Sequence, residues 1–113
     1  MSLRLRLFHF LIPVAPTHAQ TQAAMNAQAR TEFVKADAEL NKAYETLLAK
    51  LPEAQSKQRL NESQRAWLAF QNAEAAFTAD QRRGGAMAPT IRYETMTDLT
   101  QQRNKQLKTR LTD

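Results

Sequence analysis

A long stripe of apolar side chains that ends at a proline constrains the fold of this chain more than any other feature. Between residues 21 and 51 the apolar residues recur at steps of three and four, which places them on one face of a helix. Pro52 has no amide hydrogen to continue that helix, so we predict a first helix from Thr21, its N-cap, to Leu51. The stripe consists of Met25, Ala29, Phe33, Ala36, Leu40, Tyr44, Leu47 and Leu51.

Two further helices are predicted after this one. The second starts at Pro52, a residue favoured in a first helical turn, and ends near Arg82 before Gly84–Gly85. After the loop "AMAPT", the third runs from about Thr90 to near Leu111. The chain has no alternating strand pattern, so we predict an all-α protein, an antiparallel three-helix bundle with two long helices and a shorter third. The inward apolar positions would be Leu60, Trp67, Phe70 and Phe77 on the second helix and Ile91, Met96, Leu99 and Leu107 on the third.

The first residues differ in character from the rest of the chain. "MSLRLR" is cationic, "LFHFLIPVAP" is an apolar run too short to span a bilayer, and "THAQ" offers small residues at the spacing that signal peptidase accepts. We therefore expect a signal peptide over residues 1–19 and a single helical domain over residues 20–113. An uncleaved apolar arm or a misassigned start is the alternative.

Cleavage would also restrict the chemistry of the mature protein. It would remove both histidines, and the chain has no cysteine. Ser–His and Cys–His catalysis and the common zinc sites would then be excluded. The net charge is +5 for the whole chain; without Arg4 and Arg6, 14 cationic residues face 11 acidic ones.

Polar residues lie on the inward faces of the predicted helices. At about 100° per residue, Asp37 falls within the first apolar arc and Glu74 lies between the aromatic residues of the second helix. Because an unpaired buried carboxylate is costly, we expect both acids to pair with Arg103, and Arg92 is a further candidate partner. The predicted structural polar core comprises Asp37, Asn41, Gln64, Glu74, Thr100 and Arg103.

Sharper interpretations of the same residues remain open. Asp37 and Glu74 could be a catalytic acid/base pair acting on a sugar, but slim helical bundles rarely form the cleft that this needs. With Asn41 they suit only a hard cation such as Ca²⁺, and the nearby arginines oppose one. Trp67 beside Phe70 is a core residue or an exposed recognition aromatic. We predict no catalytic residue, no metal ligand and no cofactor.

The segment "QRRGGAMAPT" is the best candidate for a partner-binding loop, because it is cationic and lies at one end of the bundle. A plain turn with a solvated arginine pair is the alternative. The residues concerned are Arg82, Arg83, Gly84, Gly85 and Pro89.

Several motifs in order resemble one known family, the LprI-type lysozyme-inhibitor N-terminal domain of small secreted bacterial proteins. They are "TQAAMNAQARTEFVKADAELNKAY", "QRAWLAFQNAEAAF" and "GGAMAPTIRYETMTDLTQQRNKQL". The resemblance implies a helical protein in the periplasm or outside the cell, and one member type inhibits lysozyme. It carries no catalytic motif. The matching signature positions are Asp37, Leu40, Asn41, Gln64, Trp67, Glu74, Gly85, Leu99, Thr100 and Arg103.

The chain departs from that family in cysteine content and in charge. Members usually carry cysteines near the positions of Pro16, Gln28, Ala75 and Thr95, so helix packing must replace any disulfide here. Animal lysozymes are usually cationic, as is this chain, so long-range attraction is absent or reversed, which leaves an acidic local patch or another target open.

Three functions follow from these observations. The first is an exported, non-enzymatic helical binding protein, possible inhibitor of a lysozyme or other peptidoglycan hydrolase, with that hydrolase as its protein partner. The alternative is a cationic cell-envelope protein that associates with anionic lipid, lipopolysaccharide or cell-wall polymer, prompted by "NKQLKTR" near the C-terminus. Nucleic-acid binding ranks last, because exposed aromatics interleaved with base-reading residues are missing.

Overall fold

Three helices make up most of the part of the chain that the structure describes. This structure is a computed structural model, which describes residues 17–113. The helices are α1 (His18–Lys50), α2 (Ala54–Asp80) and α3 (Ala88–Leu111), with no strand in the described range. The predicted all-α three-helix bundle is therefore confirmed. The segment predicted to be a signal peptide lies outside the described residues except for residues 17–19.

The N-cap of α1 lies four residues before the predicted one, Thr21. Thr17 is the N-cap: its hydroxyl accepts a hydrogen bond from the Gln20 amide at 3.1 Å, and the Gln20 side chain accepts one from the Thr17 amide at 2.9 Å. This reciprocal capping box satisfies two amides that the first turn would otherwise leave without a partner. The local sequence thus starts the helix at His18 and not after Thr21.

The connection between α1 and α2 is short and extended. Leu51 has ψ 127°, as expected for a residue that precedes proline, and Glu53 is also extended. Helix α2 therefore starts at Ala54, two residues later than predicted. The Lys57 ammonium donates a hydrogen bond to the Leu48 carbonyl at 2.6 Å, which satisfies one of the free carbonyls at the end of α1.

Helix α3 is the element against which both other helices pack. The Phe33 and Tyr93 rings are 6.2 Å apart, and Lys50 Nζ donates to the Leu111 carbonyl at 3.3 Å, so α1 and α3 run parallel in register. Helix α2 runs antiparallel to α3, since Gln64 contacts Arg103 and Gln71 contacts Thr100. The chain therefore runs up, down and up again, with α1 and α2 antiparallel.

The core is a narrow seam with seven-residue periodicity. Along α1 the buried residues are alanines and leucines at steps of seven, four, three and four, the spacing of a coiled-coil seam. A cluster of buried apolar residues joins all three helices, and Trp67 packs against it as a half-buried residue, as predicted for a core tryptophan. The cluster consists of Leu40, Ala43, Leu47, Leu60 and Leu107.

The two phenylalanines of α2 do not face the core, contrary to prediction. Phe70 is 50% exposed and Phe77 is 64% exposed. The buried face of α2 is formed by Leu60, Gln64, Gln71, Ala75 and Ala79, which lie to one side of the aromatic stripe. Small and amide side chains fill the space against α3, so the rings are displaced towards solvent.

The first turns of α1 extend beyond the bundle. Since Phe33 lies level with Tyr93, the start of α3 at Ala88 lies level with the end of the third turn of α1. The ten or so preceding residues correspond to about 15 Å of helix. In the described range, residues 17–113, none of the helices has the length and apolar character that crossing a membrane requires.

Candidate functional site

A buried arginine forms the centre of the polar contact between α2 and α3. Arg103 is 9% exposed. Its Nε donates to Gln64 Oε1 at 3.0 Å, its Nη2 to Ser63 Oγ at 3.0 Å and its Nη1 to Gln106 Oε1 at 3.2 Å. Burial lowers the pKa of the Arg103 guanidinium, and the nearby charge of Arg110 lowers it further. The cation is therefore held by neutral amide and hydroxyl oxygens.

The predicted ion pair between this arginine and the two inward acids is wrong. Among residues 17–113 the ion pairs are Arg59–Glu62 and Arg83–Asp80, both between exposed side chains on one helix or at its end. Asp37 and Glu74 are only half-buried, so water can solvate their carboxylates and neither requires a cation. Gln64 takes the position at Arg103 that the prediction gave to an acid.

A second buried polar contact lies about one helical turn along from Arg103. Gln71 Nε2 donates to Thr100 Oγ1 at 2.7 Å, and that hydroxyl donates to the Met96 carbonyl at 2.6 Å. Gln71 is 2% exposed and Thr100 is fully buried. Because Gln64 contacts Arg103 while Gln71 contacts Thr100, rising numbers on α2 meet falling numbers on α3, which establishes their antiparallel register.

The structure therefore brings together only part of the polar set predicted from sequence. Gln64, Thr100 and Arg103 are buried at the α2–α3 contact. Asp37 is half-buried on α1, and Asn41 is exposed. Sequence reasoning missed Gln71, although it lies seven residues after Gln64 and so shares its face.

The loop between α2 and α3 is exposed and locally ordered by its own charges. Arg83 binds Asp80 through two parallel hydrogen bonds of 2.8 Å, which raises the pKa of Arg83. Gly84 has φ +80°, a conformation that favours glycine. Gly85 donates to the Arg82 carbonyl at 2.9 Å, and Pro89 lies in the first turn of α3. Arg82 is exposed. That this loop binds a partner stays a prediction.

An acidic groove separates α1 from α3 on one side of the bundle. We use this name for a cavity of about 780 Å³ together with an adjoining cavity of about 390 Å³ that shares two of its lining residues. Glu32 and Glu39 line it from α1, and Glu94 and Asp98 line it from α3. Lys105 and Lys108 border the end nearest the C-terminus. The first cavity is also lined by Met25, Ala29, Thr90 and Gln101.

Two buried oxygen atoms along this groove have no hydrogen-bond partner. They are Thr90 Oγ1, on a residue that is 2% exposed, and Asn104 Oδ1, on a residue that is 8% exposed. Thr90 is among the residues that line the first cavity, and Asn104 is among those that line the adjoining one. Buried polar atoms in proteins are nearly always paired, so these two mark a place where a hydrogen-bond donor fits.

A basic cavity of about 470 Å³ lies on another side of the molecule. Arg59, Arg103 and Arg110 contribute to its lining, together with the acid Glu53 and three leucines of the core cluster. In residues 17–113 no group of three or more histidine, cysteine or acidic side chains is placed to hold a metal ion.

Comparison with known proteins gives one family and one relative. Residues 14–107 match the family model described as Lysozyme inhibitor LprI. An uncharacterized protein of Rhizobium meliloti (strain 1021) is 28% identical over 102 residues, which cover 80% of this chain and 73% of that protein. No solved structure matches.

Proposed function

Because the chain belongs to the lysozyme inhibitor LprI family, we propose that it is an exported, non-enzymatic binding protein that inhibits a lysozyme or another peptidoglycan hydrolase. The observation that carries this proposal is the family match over residues 14–107, which takes in α1, α2 and most of α3. The buried polar groups support it, because Gln64 and Gln71 of α2 form hydrogen bonds with α3, the first of them with Arg103. These side chains hold the two helices together and so have a structural role. Binding then falls to the exposed surface.

Export is the second part of the proposal. Cleavage between Ala19 and Gln20 would cut in the first turn of α1, at the end of that helix that extends beyond α2 and α3. It would remove Thr17 and with it the N-cap. The intact mass of the protein recovered from the exported fraction of its own cells tests this: a chain starting at Gln20 is expected, and an uncut chain in the cytoplasm would contradict export.

A cell-wall lysis assay tests the inhibition directly. The purified protein at micromolar concentration and low salt is added to peptidoglycan-containing cell walls together with an animal lysozyme or a bacterial peptidoglycan hydrolase. The expected result is a slower fall in turbidity than with a helical control protein of similar size and net charge. The same hydrolases, immobilised, should retain the protein. Unchanged lysis by every hydrolase, with a helical circular dichroism spectrum for the protein, would refute the proposal.

A second candidate function is association with an anionic polymer or lipid of the cell envelope. The basic cavity favours it, since Arg59, Arg103 and Arg110 lie together there. Lys108 and Arg110 in the last turn of α3 also complement the helix dipole, which explains them without a ligand. Binding to vesicles of anionic lipid that weakens as salt rises would support this function, and absent or salt-insensitive binding would remove it.

A further inference from the structure

We propose that the acidic groove between α1 and α3 is the surface that receives the partner, and that it takes up arginine or lysine side chains from a basic segment of that protein. The inference rests on the proposed function for the identity of the partner as a hydrolase. Its own support is the chemistry of the groove, which the family match does not describe.

The groove carries four carboxylates against two bordering lysines, and Gln28 Nε2 donates to one of these carboxylates, Glu32 Oε1, at 3.0 Å. Glu94 and Asp98 are exposed carboxylates one helical turn apart on α3, and Glu32 faces them from α1. Thr90 Oγ1 and Asn104 Oδ1 add two buried oxygens that lack a donor. Lysine ammonium and arginine guanidinium groups donate and never accept, so they match this set.

The shape of the groove favours a long side chain over a compact ion. In residues 17–113 the acids do not converge into a metal-binding group. Met25 and Ala29 add apolar surface to the lining beside the carboxylates, and Met25 is 40% exposed. Arginine and lysine have an aliphatic stem that packs on such a surface while the charged end reaches the oxygens.

The groove also offers a cationic target a local negative charge, opposite in sign to the net charge of the chain. The net charge is +5 for the whole chain and +3 after cleavage, and either charge repels a basic protein at long range. Within the groove four acids on two helices face the solvent, and the bordering lysines lie at one end only. At contact distance the local charge therefore decides, and it attracts a basic segment.

Charge-matched variants test this assignment. The groove variant is Glu32→Gln, Glu94→Gln and Asp98→Asn combined, and the control is Glu45→Gln, Glu62→Gln and Asp113→Asn combined. All six residues are exposed, and both variants remove three negative charges, so they share one net charge. The control leaves the groove intact.

Two probes separate this inference from the proposed function. One is a strongly cationic animal lysozyme, and the other is a peptide of alternating arginine and glycine, with titrations followed by calorimetry and by amide NMR shifts. We expect the groove variant to bind each probe at least about tenfold more weakly than wild type, and the control variant to stay within about twofold. Peptide-induced shifts should concentrate on α1 and α3 around Glu32 and Glu94.

Thr90→Val provides a readout that a merely structural role would not give. Removing the unpartnered hydroxyl from a buried site should leave the protein as stable as wild type or more stable. Binding of both probes should nevertheless weaken by a few-fold, because the bound cation loses an acceptor. A variant that is stabilised and binds as wild type would contradict a role for Thr90 in the site.

Each outcome decides one of the two proposals. If wild type binds lysozyme and the groove variant binds it equally well, the groove assignment is wrong while inhibition stands. If wild type binds the peptide in the groove but no hydrolase, the proposed function fails and the groove remains a site for basic segments. If wild type binds neither probe, or if both triple variants lose binding equally, the groove assignment is refuted.

Discussion

Replacing Arg103 with methionine tests how the buried polar contact between α2 and α3 stabilises the protein. Methionine keeps an unbranched apolar stem, although it is shorter than arginine, and it removes all the donors. Gln64 Oε1, on a residue that is 7% exposed, then has no partner. Ser63 and Gln106 are exposed, so water replaces the bonds they lose.

The expected loss in the free energy of unfolding follows from these contacts. One buried acceptor without a donor costs about 1–3 kcal/mol. The charge that is removed lies on a side chain that is mostly buried, in line with the lowered pKa of Arg103, and its removal offsets part of that loss. We therefore expect Arg103→Met to destabilise the protein by about 1–2 kcal/mol. Because Arg103 stays protonated at ordinary pH, this difference should not change between pH 5 and 8.

A double-mutant cycle with Gln64→Leu isolates the contact. Replacing both partners with apolar residues leaves no unpaired group, so the double variant should lie within about 1 kcal/mol of wild type. Urea unfolding, followed by far-ultraviolet circular dichroism and by Trp67 fluorescence, measures each corner of the cycle. Glu74→Gln in place of Gln64→Leu is the matched control and should show no coupling.

The result that would refute this reasoning is specific. Breaking a buried ion pair costs about 3–5 kcal/mol. A loss of that size for Arg103→Met, together with coupling to Glu74 or Asp37 and not to Gln64, would mean that a carboxylate and not an amide holds the arginine.

Three further predictions concern the core and the loop. Phe77→Ser should change the free energy of unfolding by less than about 0.5 kcal/mol because the ring is mostly exposed. Leu107→Ala, at a buried position, should cost about 2–5 kcal/mol. Thermal unfolding compares the two variants, and equal losses would contradict the described faces of the bundle. Gln71→Leu alone should cost about 1–3 kcal/mol and regain most of it when Thr100→Val is added, since the double variant leaves no buried partner unpaired; urea midpoints check this, and strictly additive losses would argue against the bond. Gly84→Ala should cost about 1–2 kcal/mol through its positive φ alone, because a Cβ there meets no atom; Gly84→Asn should cost less, and an unchanged melting temperature for the alanine variant would contradict the conformation.

The apolar stripe of α1 explains why the fold was predictable from sequence. Leu40 and Leu47 recur at helical spacing, and Pro52 forces a break after them, so helix number and order follow from local rules. The ends of the helices were less predictable. The capping box at Thr17 lies inside a segment whose composition indicated a signal peptide, and extended Glu53 delayed α2 by two residues.

The buried face of α2 was not predictable in the same way. A helical projection places Phe70 and Phe77 at the edge of the arc around Trp67, and hydrophobicity alone assigns them to the core. The surface of α3 keeps the two rings out of the core. Thr100 and Arg103 on that helix need amide groups opposite them as hydrogen-bond partners. Gln71 and Gln64 supply these groups. The signal available in sequence was the seven-residue spacing of the two glutamines.

The acidic groove depends on how two distant segments are aligned. Glu94 and Asp98 are one turn apart, and Glu32 and Glu39 are two turns apart, so each pair shares a side of its own helix. Nothing in either segment determines that these sides meet. That depends on the parallel register of α1 and α3, which the packing of Phe33 near Tyr93 and of Leu40 and Leu47 with Leu107 determines.

A seam built from alanine and amide side chains also affects how the protein responds to temperature. Unfolding raises the heat capacity in proportion to the apolar surface that enters water, and polar surface lowers it. Here much of the interior is Ala29, Ala36, Ala75, Gln64 and Gln71, while two large rings are already hydrated in the native state. The heat-capacity increment per residue should therefore fall below the average of about 12–15 cal/mol/K for globular domains. A small increment flattens the curve of stability against temperature, so cooling and moderate warming should alter the folded population less than in a domain of equal size with a leucine-rich interior.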